Sequence, residues 1–409
     1  MSSRLVASRV NYAVETLAPL LAESRAEARA REIEVARRMT ADDAPPVVLF
    51  GAGGLGRRLR AALAAAGAPP AAFADNDSRL WGTRVDGTPV LAPGEAAARH
   101  GAQGSFVVAA WNPGHAFADS ARQLHESGCR DVVSWIRLAW GLEAADLLPC
   151  YAAGRPSAVL AAADEVTRMA SIWADFASSD EFVRQTRWRL SGDFTDLDDP
   201  VPEQYFPSDL LTLHPGEVFV DCGAFDGDTV QEVVARCPEF ASIDAFEPDA
   251  GNFAALERTT ATLARRYGAR LRLHQAAADH GPGSRRFAGL GPAGAFVDAQ
   301  ATSATAGDGP HDGCVACVSL DDALKDAAVS FIKMDVEGAE ADALRGAQKL
   351  LRERRPVLAV SAYHHQADLW RLPALVAELT EDYRLHLRAH RPDGFDCVLY
   401  AIPAERAAP

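Results

Sequence analysis

The stretch "VFVDCGAFDGDTV", residues 218–230, is typical of a buried strand that enters a glycine turn through an acidic residue. Asp221 ends the strand, and Gly223 and Gly227 follow in the turn, where glycine lets the backbone approach a ligand closely. An acid here would work against a pyrophosphate bound at the start of the next helix. The turn therefore favours a nucleoside ligand that carries cationic groups nearby.

A second acid closes the following strand, in "AFEPD" (245–249). Glu247 stands where acids in nucleotide-binding α/β folds accept hydrogen bonds from the ribose hydroxyls. S-adenosylmethionine combines a ribose with an α-ammonium and a sulfonium group, so it suits both acids. The third strand ends in "HQAAADH" (274–280), and we expect the loop there to lie beside the adenine, although Asp279 also fits a solvated turn. The predicted cofactor-binding residues are Asp221, Gly223, Ala224, Phe225, Gly227, Glu247, Pro248, Ala278 and Asp279.

The stretch "FIKMDVEGAE" (331–340) predicts a strand whose Lys333, Asp335 and Glu337 project to one side. A lysine in a central strand needs a partner, so a structural Lys333–Asp335 pair is one interpretation. Ligands of doubly wound sheets bind at the carboxyl ends of strands near the switch point, which here means beside Gly223. That position favours a functional role for Asp335 or Glu337.

Methyl transfer to a hydroxyl needs a base within hydrogen-bond reach of its proton, or a metal that acidifies it. The sequence gives no clear sign of a metal site, and the use of a divalent metal ion is an alternative that it leaves open. Two histidines follow "LAVSAY" (358–363) at the next strand end, where a neutral imidazole is a natural base near pH 7 and a structural role is equally open. Arg388 either orients the substrate or is a surface charge. The candidate catalytic residues are Asp335, Glu337, His364 and His365.

Five ordered motifs, "VFVDCGAFDGDTV", "AFEPD", "VSLDDAL", "FIKMDVEGAEADALRGA" and "SAYHHQADLWRLPALV", together resemble the FkbM family of S-adenosylmethionine-dependent methyltransferases. The resemblance covers roughly residues 205–403. It implies a class I methyltransferase fold, with a seven-stranded mixed sheet that ends in an antiparallel hairpin. It also implies O-methylation of a hydroxyl on a sugar or natural product. Phe225 stands where many class I enzymes have a third turn glycine, as is common in this family.

The same resemblance assigns roles to several of these residues. It implies that Asp221, Gly223 and Gly227 form the cofactor turn and that Glu247 holds the ribose. It further implies that Asp335 and Glu337 face the reaction centre, and it leaves the catalytic base open.

A second glycine turn occurs in "VLFGAGGLGRRL" (48–59), which resembles the Rossmann-like domain preceding some sugar-modifying transferases. Its G-x-G-x-x-G follows a strand, and an acid closes the next strand at the spacing of a dinucleotide site. Three interpretations stay open: docking of a nucleotide sugar or substrate, a nicotinamide cofactor, or packing without a ligand. The residues of this nucleotide-like site are Gly51, Gly53, Gly56 and Asp75.

Strands alternate with helices on both sides of a polar helical segment, so the 409 residues predict two α/β domains with parallel sheets. The predicted parts are an N-terminal helical segment (1–44), a Rossmann-like domain (45–140), a helical linker facing the substrate (141–212) and the methyltransferase domain (213–409). A glycine-rich stretch (281–313) interrupts the last of these.

The bulk composition excludes several function classes. A net charge of −15 argues against nucleic acid as the main partner. No apolar run is long enough to span a membrane and no signal sequence is evident, so we expect a cytoplasmic protein. The seven cysteines suit a reducing compartment, and the lone C-x-x-C at Cys314 and Cys317 lacks further zinc ligands nearby.

The sequence thus predicts an O-methyltransferase for a sugar, glycan or glycosylated natural product. A nicotinamide-dependent oxidoreductase using the N-terminal turn and a non-catalytic adenosyl-binding regulatory module are the alternatives. We expect a small-molecule or glycan substrate, and the sequence leaves a homo-oligomer open.

Overall fold

The structure is a computed structural model that describes residues 3–142, 144, 146–289, 295–297 and 314–406. Much of the glycine-rich stretch expected at 281–313 therefore lies outside the described residues. The chain divides into two compact units. The first comprises Met1–Val201, His365–Leu369 and Ala389–Cys397, and the second comprises Pro202–His364, Trp370–Arg388 and Val398–Pro409.

The first unit contains a mainly parallel sheet and the helices α1 to α9. Its helices are α1 (Ser3–Leu21), α2 (Arg25–Met39), α3 (Gly54–Ala65), α4 (Pro93–His100), α5 (Phe117–Glu126), α6 (Trp135–Ala139), α7 (Pro156–Ala161), α8 (Ala163–Met169) and α9 (Phe176–Ser191). Its strands are β1 (Val47–Phe50), β2 (Ala72–Ala74), β3 (Arg84–Val85), β4 (Thr88–Leu91), β5 (Ser105–Val108) and β6 (Asp131–Ser134). The described strands follow the order β3-β4-β2-β1-β5-β6, and only β3 is antiparallel to its neighbour.

Local sequence explains where these elements begin. The two N-terminal helices are separated at Ser24, whose hydroxyl accepts from the Glu27 N–H while the Glu27 carboxylate accepts from the Ser24 N–H. This reciprocal cap starts α2. The run "VVLF" of β1 is buried throughout, as expected for a central parallel strand. The segment that the sequence predicts as a linker contributes α7, α8 and α9 to this unit.

The second unit is built around a mixed sheet. Its strands are β7 (Val218–Cys222), β8 (Ser242–Phe246), β9 (Leu271–His274), β10 (Ala277–Ala278), β11 (Gly283–Gly289), β12 (Ala295–Val297), β13 (Cys314–Val318), β14 (Phe331–Met334), β15 (Val357–Ser361), β16 (Tyr383–Ala389) and β17 (Cys397–Pro403). Its helices are α10 (Asp228–Arg236), α11 (Ala250–Tyr267), α12 (Leu320–Ala323), α13 (Glu340–Arg345), α14 (Gln348–Arg354) and α15 (Asp368–Leu379).

The described strands of the main sheet follow the order β16-β17-β15-β14-β7-β8-β9. The strands from β15 to β9 are parallel, and β17 runs antiparallel to β15. The chain between β17 and β16 is too short for a parallel crossover, so these strands form the expected hairpin at the edge. This seven-stranded mixed sheet confirms the sheet predicted for this domain.

The centre of the sheet is held by aromatic packing. Phe219 on β7 and Phe331 on β14 are direct register partners, and their ring centroids lie 5.1 Å apart. Phe206 packs on both rings, at 5.9 and 5.7 Å. All three side chains are buried, so this cluster fixes the two strands whose carboxyl ends carry the candidate site.

Two local predictions differ from the structure. The sequence pattern of residues 338–352 predicts a single helix, whereas the structure divides it into α13 and α14. A side-chain carbon on Gly346 would lie 1.9 Å from the Asp279 carbonyl oxygen, and Asp321 accepts from the first backbone N–H groups of α14. The break therefore permits close packing and provides a new helix cap.

The second difference is a small sheet around the glycine-rich stretch (281–313), where the sequence predicts no strands. Its described strands follow the order β10-β13-β11-β12. Cys314 and Cys317 both lie on β13, where Cys314 is exposed and Cys317 is buried. Residues three apart on a strand point to opposite faces, so these thiols do not form one metal site.

Among the described residues, no helix combines the length and apolar character required to cross a membrane.

Candidate active site

The glycine turn between β7 and α10 is shaped by close packing. Gly223 has φ +78°, and a side-chain carbon there would lie 1.8 Å from the carbonyl oxygen of Asp335. Gly227 has φ +90°, and a carbon there would lie 2.9 Å from the Leu256 side chain. Ala224 between them is buried, and its N–H donates to the Phe246 carbonyl. Glycine is therefore required at both positions, and the turn is pressed against the end of β14.

Glu247 at the end of β8 holds this turn in place. Its carboxylate accepts from the Phe225 N–H and from the Asp249 N–H, each at 2.9 Å. The residue is 5% exposed, and burial raises the pKa of its carboxyl despite those bonds. Phe225 projects from the turn with 42% of its surface exposed, and Pro248 is half-buried. The acid predicted for the ribose thus lies directly beside the predicted cofactor turn.

Asp221 lies beneath the turn in a buried ion pair. Asp221 and Lys333 are direct register partners on β7 and β14, and Lys333 Nζ lies 2.9 Å from the Asp221 carboxylate. Lys333 also donates to the Gly223 carbonyl at 2.6 Å. Burial opposes the charge on Lys333, but Asp221 outweighs it and raises the lysine pKa. The interpretation that pairs Lys333 with Asp335 is therefore corrected: the cross-strand register supplies Asp221 instead.

The loop after β9 places Asp279 in another buried ion pair. Asp279 is 3% exposed, and its carboxylate lies 2.6 Å from Arg285 Nε and 2.7 Å from His280 Nδ1. Its backbone N–H donates to the Val318 carbonyl, while Ala278 is buried in β10. The predicted adenine contacts of these residues stay predictions.

A compact cluster of ionisable side chains lies at the carboxyl ends of β14 and β15. His364 is 1% exposed, and its Nδ1 lies 2.8 Å from a Glu340 oxygen. Its Nε2 lies 3.4 Å from Asp335 Oδ1 and 3.6 Å from Glu337 Oε2. Since Asp335 contacts the Gly223 turn through its carbonyl, three of the four predicted catalytic residues converge beside the predicted cofactor turn.

Two members of this cluster were missed by the sequence analysis. Tyr205 donates its hydroxyl to Asp335 Oδ2 at 2.8 Å, and no local motif signals it because it lies far away in the chain. Glu340 is 1% exposed and accepts from the Val336 N–H as well as facing His364. It stands three residues after Glu337, at the start of α13, which is the signal that could have identified it.

The charges of the cluster are coupled. Burial opposes protonation of the imidazole, but the carboxylates of Glu340, Asp335 and Glu337 outweigh it and raise the pKa of His364 to about 10. Burial would raise the pKa of Asp335, but His364, Lys333 and the Tyr205 hydroxyl lower it overall. At neutral pH the histidine is therefore protonated and Asp335 is ionised.

The other two candidates lie outside this cluster. His365 is exposed, and its backbone N–H donates to Asp368 at 2.6 Å. Arg388 is 5% exposed, so it is not a surface charge, and its guanidinium donates to Asp209 at 2.8 and 3.1 Å. Their predicted roles in catalysis and in substrate orientation stay predictions.

Asp335, Glu340 and His364 offer ligand atoms within 4.8 Å of one another, a spacing that a metal ion could bridge. A metal requires the neutral imidazole, whereas the surrounding carboxylates favour the protonated one. A bound metal would therefore take the place of the proton on His364, and the metal stays an open alternative.

These features define the class of the protein. A mixed seven-stranded sheet with a glycine turn after β7 and an acid after β8 is the arrangement of an α/β methyltransferase. Residues 221–391 match the family model of the methyltransferase FkbM domain. This part of the chain, which includes the β7 turn and the carboxylate cluster, is therefore similar to the methyltransferase FkbM domain.

Comparison with a solved structure supports the fold. The chain is similar to the crystal structure of a methyltransferase FkbM from Methylobacillus flagellatus KT, with 23% identity and a TM-score of 0.71. The alignment covers 97% of this chain and 99% of that one. A precorrin-6y C5,15-methyltransferase from Geobacter metallireducens GS-15 aligns with 47% of this chain and 83% of its own, at 12% identity and a TM-score of 0.29. No curated protein gives a significant sequence match.

Proposed function

We propose that this protein is an S-adenosylmethionine-dependent O-methyltransferase that acts on a hydroxyl of a sugar, glycan or glycosylated natural product. The observation that carries the proposal is the Asp335 carboxylate beside the Gly223 turn, held by the Tyr205 hydroxyl and facing His364. The family resemblance supports the sugar or natural-product acceptor.

The residues of the turn fit the cofactor. A carboxylate has about four acceptor positions, and the backbone bonds of Glu247 use two of them, which leaves positions for ribose hydroxyls. The exposed ring of Phe225 offers an apolar surface beside this acid. When bound, S-adenosylmethionine supplies an activated methyl group on a sulfonium centre. Asp221 with Lys333 keeps the strand ends rigid beneath it.

The side chains of the cluster have different roles in the proposed reaction. Asp335 is ionised and 24% exposed, so it can accept the proton of an approaching hydroxyl. Tyr205 fixes one of its oxygens, which leaves the orientation of the carboxylate defined. His364, protonated and held by Glu340, balances the negative charge of Asp335 and Glu337. The neutral-imidazole base stays a prediction, and this charge arrangement favours Asp335 as the base.

Calorimetric titration of the whole protein with S-adenosylmethionine, S-adenosylhomocysteine and NADH, each alone, tests the cofactor. We expect micromolar binding of the first two through the β7 turn. A screen of sugar and glycoside acceptors with methyl-labelled cofactor then tests the reaction. Absence of binding by both adenosyl compounds would contradict the proposal, and labelling of amines without hydroxyls would contradict O-methylation.

Glu247→Ala should weaken S-adenosylmethionine binding by roughly 1–3 kcal/mol, because ribose hydrogen bonds to a carboxylate are lost. Titration calorimetry measures the change. Asp249→Ala is the matched control, because Asp249 caps α11 through the Asn252 N–H and its loss should affect stability rather than affinity. Equal affinities of Glu247→Ala and wild type would remove the ribose assignment.

Glu340→Gln should change how stability depends on pH. The pKa of His364 is raised from its ordinary 6.5 to about 10, so the histidine stabilises the fold fully below pH 6.5. That stabilisation is lost as pH rises from 6.5 toward 10. Removing the Glu340 charge lowers the folded-state pKa, so the variant should lose less stability over this range.

Thermal unfolding measured between pH 6 and pH 10 tests this coupling. We expect the gap in melting temperature between wild type and Glu340→Gln to be widest at pH 6 and to narrow toward pH 10. Glu353→Gln, a change of an exposed residue on α14, should give a gap that does not vary with pH. A constant gap for Glu340→Gln would mean that Glu340 does not set the protonation of His364.

A further inference from the structure

The first unit contains a cavity of about 370 Å³ at the carboxyl ends of β1, β2 and β5. This volume is within the range of small-molecule sites. The methyltransferase site described above uses none of its residues. The glycine turn that precedes α3 lines the cavity, and so do Trp111, His115 and Ser120.

The glycines of this turn fall into two kinds. A side-chain carbon on Gly56 would lie 2.0 Å from the Gly51 carbonyl oxygen, and one on Gly51, with φ +117°, would lie 3.0 Å from the Ala109 oxygen. Packing therefore requires both. Gly53 and Gly54 have no atom within 4 Å of that position, and Gly53 has an ordinary extended backbone with φ −74°. Neither packing nor backbone geometry explains these two glycines, and both line the cavity.

The acid of this cavity repeats the arrangement of Glu247 in the second unit. Asp75 follows β2 directly, and its carboxylate accepts from the Ala52 N–H in the turn at 2.7 Å and from the Asp77 N–H at 2.8 Å. Glu247 likewise accepts from a turn N–H and from the N–H two residues beyond itself. The carboxylate of Asp75 thus lies beside the glycine turn of the first unit in the same way that Glu247, the predicted ribose acid, lies beside the β7 turn of the second unit.

We propose that this cavity binds a nucleoside diphosphate with an unmodified ribose diol, the group shared by sugar nucleotides and dinucleotides. The diol hydrogen-bonds to Asp75, and the diphosphate lies in the open space at Gly53 and Gly54, against the positive end of α3. The indole of Trp111 also lines the cavity and offers apolar area for a base or sugar ring. A 2′-phosphate would be repelled by Asp75.

Gly53→Asp separates this proposal from a structural role of the turn. The new side chain meets no atom within 4 Å, and aspartate is favoured at the position before a helix, so the fold should be kept. Its carboxylate would occupy the space of the diphosphate and repel it. Gly94→Asp is the matched control, because Gly94 is open and exposed in the first turn of α4 and lies outside the cavity.

The experiment titrates the full chain with ADP, UDP, GDP, UDP-glucose, NAD⁺ and NADP⁺. We expect micromolar binding of at least one unmodified nucleoside diphosphate, weakened about tenfold or more by Gly53→Asp but not by Gly94→Asp or Glu247→Ala. Preference for UDP-glucose over NAD⁺ would identify a sugar nucleotide, and the reverse a dinucleotide. The proposal is overturned by absence of binding up to about 1 mM, by equal binding of NAD⁺ and NADP⁺, or by insensitivity to Gly53→Asp. Loss of binding in Glu247→Ala would also overturn it, because the ligand would then occupy the other site.

Discussion

Asp335→Asn should lower the turnover of methyl transfer by about 10²- to 10⁴-fold, the usual contribution of a positioned general base. The amide keeps the size of the side chain but cannot accept the hydroxyl proton. Affinity for S-adenosylmethionine should change little, because Asp335 contacts the turn at Gly223 through its backbone carbonyl rather than its carboxylate. Turnover is measured with labelled cofactor at saturating acceptor, and affinity by calorimetry.

The matched control is Asp326→Asn, the same substitution at an exposed position of the second unit. It should leave turnover unchanged. Thermal unfolding of both variants separates catalysis from folding, since Asp335 also accepts from Tyr205 and faces His364. Turnover of Asp335→Asn within a few-fold of wild type would move the proton transfer to Glu337 or to a histidine.

Gly223→Ala should destabilise the second unit severely, on the order of 4 kcal/mol or more, because the added carbon would lie 1.8 Å from the carbonyl oxygen of Asp335. The oxygen belongs to the backbone and cannot rotate away. Its φ of +78° adds a further cost for any residue with a side chain. The variant should unfold at a much lower temperature or fail to accumulate as folded protein.

Gly216→Ala isolates the backbone contribution. Gly216 has a similar φ of +86°, but nothing lies within 4 Å of the added carbon, so only about 1–2 kcal/mol should be lost. Thermal or denaturant unfolding of the two variants gives the comparison. Similar stabilities would show that the turn and the end of β14 do not approach as closely as described.

The packing of Glu247 against the β7 turn was predictable from the sequence because its signals are local. The strand, the acid-glycine turn and the acid at the end of the next strand occur in order within residues 218–249, and parallel strands bring their carboxyl ends to one edge. The structure accordingly places Glu247 against the turn through the Phe225 N–H. The seven-stranded sheet was likewise predicted from the family motifs and confirmed.

Partners that are distant in the chain were not predictable in this way. Tyr205 reaches Asp335 from a segment without a motif, and the sequence did not predict the small sheet containing β11 and β13. The C-x-x-C spacing gave no hint that its two thiols would alternate across a strand. Such contacts depend on which elements become neighbours, and hydrophobic periodicity does not encode that.

The sequence by itself determined that this chain carries a glycine turn entered through an acid, a second acid after the next strand and a group of ionisable residues at two later strand ends. Only the tertiary structure decided which of these charges meet. The β7–β14 register pairs Lys333 with Asp221, and α13 places the Glu340 carboxylate next to the His364 imidazole. Because the pKa of a buried group depends on charges within a few ångströms, the protonated state of His364 follows from that packing.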